Sequence, residues 1–87
     1  MDSQELLENL VELAAQLDIS VRRTDLGGFG GSLVKLRGQQ ILFIDTLADP
    51  ADQLERIIPS FARLASLDDI YIIPELRQLL DGNKNDR

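Results

Sequence analysis

The chain has 87 residues, with 15 acidic and 9 basic side chains, a formal net charge of -6, and no histidine, cysteine or tryptophan. That length allows one hydrophobic core and no second one. The missing residue types exclude disulfides, thiolate nucleophiles, cysteine-ligated metals and the commonest general base near neutral pH.

Apolar residues at 44 % and charged residues at 28 % describe a folded domain rather than a disordered chain. The longest apolar run, Ile41 to Ile44, is far short of the ~20 residues of a membrane helix, and the acidic start Asp2-Ser3-Gln4-Glu5 is not that of a secretory signal. A cytosolic protein is expected, with no membrane partner. The acidic balance also argues against nucleic acid. The charge is uneven, however: Arg22, Arg23, Lys35 and Arg37 face only Asp25 between residues 19 and 44, while the flanking segments are acidic.

The first element is an amphipathic helix over residues 3–17. Asp2 and Glu5 have the spacing of a capping box, and Leu6, Leu10, Leu13 and Leu17 fall on one stripe. Residues 19–24 alternate as a strand, with Ile19 and Val21 inward. Asp25 to Ser32 holds four glycines in five positions and is a loop. Leu33 to Arg37 alternates again, Gly38-Gln39 suits a type II′ turn, and Gln40 to Asp45 is a third strand.

That third strand is apolar on both sides, Ile41 and Phe43 one way and Leu42 and Ile44 the other. At the edge of an antiparallel meander such a strand is a liability, so something should cover it. One candidate is Ile70 to Ile73, as a short fourth strand set parallel beside it by a right-handed crossover; another is a partner subunit. A second helix over 50–66 has Asp49 as N-cap, Pro50 at its first position and Pro59 inside, where the ring should kink or split it. Pro74 opens a last helix, Glu75 to Leu80, and residues 82–87 read as a tail beyond a single domain of residues 1–81.

The expected fold is therefore α+β: an N-terminal helix, a three-stranded antiparallel meander with a short strand at 70–73 as an optional fourth, then two helices on one face of the sheet. The expected core holds Leu6, Leu10, Leu13, Leu17, Val21, Val34, Leu36, Ile41, Phe43, Leu54, Ile57, Ile58 and Phe61. Acidic, leucine-rich composition and the order helix–strands–helix resemble those of small secretion chaperones, which act as dimers. The resemblance rests on no motif, and no residue carries across.

Two functional readings follow. The first is a non-enzymatic protein-interaction domain, partnered by itself as a homodimer or by another protein, with Phe29, Leu42, Ile44 and Tyr71 as interface candidates. The second is a small-ligand domain, in which Gly27, Gly28, Gly30, Gly31 and Ser32 present backbone N–H groups to an anion or nucleotide beside Arg22, Arg23 and Arg37. The loop matches neither the Walker A nor the dinucleotide-binding pattern. Asp45, Asp49 and Asp52 lack calcium-loop spacing and are accounted for by turn and cap preferences, so neither a metal nor another cofactor is expected. The serines have no histidine to activate them, so catalytic residues are not assigned.

Overall fold

The structure, a computed structural model, describes residues 2–64, 67 and 69–84. Its elements are α1 (Ser3–Gln16), β1 (Ser20–Thr24), β2 (Ser32–Leu36), β3 (Gln39–Asp45), α2 (Pro50–Phe61) and α3 (Pro74–Lys84). The class is α+β.

The helix ends follow local chemistry. Asp2 Oδ1 accepts from Glu5 N at 2.9 Å and Glu5 Oε1 accepts from Asp2 N at 3.4 Å, which closes the capping box. The other end of α1 is a Schellman turn: Ile19 N donates to Ala14 O at 3.0 Å and Asp18 N to Ala15 O at 3.2 Å. Asp18 takes the left-handed position of that turn, at φ 61°. A glycine there carries no Cβ penalty, although it loses more freedom on folding. Asp18→Gly is therefore expected to raise stability by about 0.5 kcal/mol in urea titration, and a decrease would show that the aspartate makes a compensating contact.

Asp49 caps α2 through Ala51 N at 3.2 Å. Pro59 neither splits the helix nor ends it at once. It sits in the last turn, facing solvent, and α2 closes two residues later at Phe61. The predicted helix residues Ala65 and Ser66 lie outside the described set. The last helix begins at Pro74 as expected but runs on through Gly82 to Lys84, beyond the predicted helix end.

The sheet departs from the meander. Its order is β1-β3-β2, with β2 antiparallel and β1 parallel to β3, so the sheet is mixed. The apolar third strand is thus central rather than an edge. Its free side is covered by β1, in the register Val21↔Leu42, and not by residues 70–73, which lie outside the sheet. Central placement satisfies β3's backbone on both sides, which answers the edge problem by a different pairing. The hairpin turn is Arg37-Gly38, both with positive φ (54° and 80°), closing Leu36 onto Gln39 as a type I′ turn rather than at Gly38-Gln39.

On one face of the sheet α1 lies beside β1 and α2 beside β2, and α3 packs against these two helices. Leu42 and Ile44 point into that layer and are buried with Leu10, Leu13, Ile57, Phe61, Leu76 and Leu80. Val21, Leu33 and Leu17 pack at its margin. Ile72 is buried, and Arg77 Nη2 donates to Leu67 O and Ile70 O, each at 3.3 Å, which ties the segment before α3 to the helix.

The expected core is therefore corrected on one point. Val34, Leu36, Ile41 and Phe43 lie outside the core, on the opposite face of the sheet. Leu42 and Ile44, expected at an interface, are core residues. Strand parity separates these two sets, and register with Ile19 and Val21 decides which one meets the helices.

Candidate functional site

Two places meet the requirements of a site: the glycine loop at the C-terminal ends of β1 and β3, and the uncovered face of the sheet.

The loop is organised by Asp45, the last residue of β3, which is 2 % exposed. Asp45 Oδ1 accepts from Leu26 N at 3.1 Å and Leu47 N at 2.9 Å, and Oδ2 accepts from Gly30 N at 2.9 Å. The Gly28 N–H also favours the charged form of the carboxyl, less than the other three. Burial works against the charge, but the N–H groups of Leu47, Gly30, Leu26 and Gly28 outweigh it and hold the carboxyl below its ordinary value. Gly27 N is bonded to Asp25 Oδ1 at 2.8 Å.

Gln53 completes the arrangement from α2. Its side-chain Oε1 accepts from Asp45 N at 2.5 Å, and its Nε2 donates to Asp45 O at 3.1 Å. The amide thus serves as a one-residue strand partner for the end of β3. Gly31 makes room for it: a Cβ at residue 31 would lie 1.9 Å from Phe43 O and 2.8 Å from Gln53 Oε1. Sequence reasoning weighed Asp45 as a turn residue or metal ligand and did not single out Gln53. The signal was present, because Gln53 is a polar residue on the same helical stripe as Leu54, Ile57, Ile58 and Phe61.

The residues proposed for anion binding are not gathered at one point. Gly27, Gly28, Gly30 and Gly31 are in the loop and Ser32 opens β2. Arg23 leaves the loop and pairs with Glu8 at 3.2 Å. Arg22 stands on the outer face beside Phe43. Arg37 is in the hairpin turn at the other end of β2, about 15 Å away along the strand. Among the described residues, no buried side-chain polar atom lacks a partner and no three carboxylates converge on a metal-sized space. Asp49 is engaged in its cap. A cleft of about 210 Å³ lies between Gln4, Arg23, Thr46 and Gln53, but Gln53 and Arg23 are bonded within the chain.

The outer face of the sheet carries four rows, of which Thr24 and Asp45 form the one at the glycine-loop end. Arg22, Phe43 and Ser32 form one, Ser20, Ile41 and Val34 the next, and Gln39 and Leu36 the last. Val34 is 39 % exposed and Leu36 59 %, while Ile41 and Phe43 are half-buried. No described element lies over them. Of the remaining interface candidates, Phe29 at the tip of the glycine loop and Tyr71 before α3 are 71 % and 77 % exposed. Leu79 on α3 borders an apolar hollow with Leu6, Leu54 and Ile58. No helix among the described residues is long and apolar enough to cross a membrane.

Comparison with known proteins brings no match: no protein-family model, no curated protein and no solved structure is significantly similar to the chain.

Proposed function

We propose that this chain is a small non-enzymatic protein-interaction domain that acts as a homodimer. The observation that supports it is the outer face of the sheet, where the exposed Val34 and Leu36 adjoin the half-buried Ile41 and Phe43 in one apolar surface. A domain of this size has little core to spare, and leaving Val34 and Leu36 toward water beside the half-buried Ile41 and Phe43 forfeits burial worth ~25 cal/mol per Å². Contiguous exposed apolar surface of this kind marks interaction sites. The composition, without histidine or cysteine, fits a binding role better than a catalytic one.

The alternative reading, anion or nucleotide binding at the glycine loop, is weakened by Asp45. The N–H groups that would cradle a phosphate already cradle a carboxylate of the chain itself. Light scattering on the purified chain at tens of micromolar is expected to give twice the chain mass. A monomer at that concentration would end the homodimer reading.

A further inference from the structure

We infer that the groove between α1 and the start of α3 receives an arginine side chain of a partner protein. This groove lies on the helical side of the molecule and depends neither on the homodimer reading nor on the sheet face.

The groove holds about 150 Å³ and is lined by Glu12, Leu13 and Gln16 from α1 and by Tyr71, Ile72 and Leu76 from the other side. Leu13, Ile72 and Leu76 are buried, so the floor is apolar. Glu12, Gln16 and Tyr71 are exposed, so the rim is polar. An apolar floor under a polar rim suits a side chain with an aliphatic stem and a polar head. The volume sets the size of the guest. A cavity of about 150 Å³ holds one benzene ring, whereas pockets for drug-sized ligands run to roughly 300–1,000 Å³. One side chain fits, and a nucleotide does not.

Charge fixes the sign of the head. No basic residue lines the groove. Among the described residues the Glu12 carboxylate has neither a hydrogen-bond nor an ion-pair partner, whereas Glu5 closes the capping box and Glu8 holds Arg23. Arg77, which follows the lining residue Leu76, spends its guanidinium on Leu67 O and Ile70 O. A cation therefore completes the groove. Tyr71, 77 % exposed, sets an aromatic ring beside Glu12, and a planar guanidinium stacks on such rings more readily than an ammonium does. That favours arginine over lysine. With no basic residue in the lining to hold an α-carboxylate, the guest is an arginine within a chain rather than the free amino acid.

The test is an NMR titration of the isotope-labelled chain with N-acetyl-arginine amide, with N-acetyl-citrulline amide as the uncharged isostere and free arginine as a third probe. One charge pair and one ring contact imply a dissociation constant on the order of 10 mM, so the titration runs to about 50 mM at constant ionic strength. Shifts centred on Glu12, Gln16 and Tyr71 are expected with the blocked arginine and not with the citrulline. Glu12→Gln and Tyr71→Ala, both at exposed positions, should each raise the dissociation constant about fivefold. Glu55→Gln, on the wet face of α2, should leave it within about twofold. The spectra of the variants report their fold directly. Equal shifts with the citrulline overturn the charge of the guest. Shifts spread over all exposed carboxylates, a constant indifferent to both Glu12→Gln and Tyr71→Ala, or no shift at all overturn the site. Tighter binding of free arginine than of the blocked form overturns the partner protein as its source. Light scattering reads the homodimer separately, so either result can fail alone.

Discussion

Asp45→Asn is expected to lower the thermal midpoint at pH 7 by roughly 10–20 °C, although it changes one atom of the side chain. The carboxylate accepts from Leu26, Gly30 and Leu47, and a carboxamide offers one oxygen for these donors while turning its own N–H groups toward the others. Buried donors left unmatched carry the full cost of their lost hydration. The effect also has a signature in pH. The folded carboxyl titrates below its ordinary value of about 3.9. Its contribution to stability is therefore complete above that value and is lost as the pH falls through the lower, folded value. The gap in midpoint between the unaltered chain and Asp45→Asn should be widest at neutral pH and should narrow below about pH 4. Thermal unfolding of the pair from pH 7 to pH 2.5 tests this, and parallel curves across that range would mean that the charge is not what holds the loop.

Gly31→Ala is the second substitution with a large expected effect, about 3 kcal/mol or more of lost stability in denaturant titration. The new methyl would stand 1.9 Å from Phe43 O and 2.8 Å from Gln53 Oε1. The first obstacle is backbone of the central strand, which cannot swing aside, and the second is the amide that pairs the end of β3. Gly28→Ala is the informative control. There a Cβ meets nothing within 4 Å, and the cost is that of an L-residue at φ 86°, about 1–2 kcal/mol. Equal losses from the two substitutions would show that the loop relaxes around residue 31 and that close packing is not its reason for being glycine.

Both predictions concern residues whose meaning lay outside the reach of local pattern. Asp45 reads in the sequence as a polar stop after an apolar strand. Its role requires knowing that Leu26, Gly28 and Gly30, fifteen and more residues earlier, return to the end of β3. A glycine-rich loop with arginines nearby suggests an external anion for the same reason that it admits an internal one, because backbone N–H groups attract any carboxylate or phosphate. Distance along the chain conceals which of the two is present.

The sequence alone determined what is set within a few residues: the capping box of Asp2 and Glu5, the Asp49-Pro50 start of α2, the Pro74 start of α3, and the two-sided apolar character of β3. These depend on contacts between residues no more than about four apart, or on strand alternation. Tertiary structure alone decided that β3 is central, that β1 lies parallel to it, and that Leu42 and Ile44 rather than Ile41 and Phe43 meet the helices. Alternation divides a strand into two faces without saying which is wet, and pairing order depends on which distant strand completes the ladder. The physical consequence is that Val34, Leu36, Ile41 and Phe43 lie on the face away from the helices, although their apolar alternation alone fits a core face equally well.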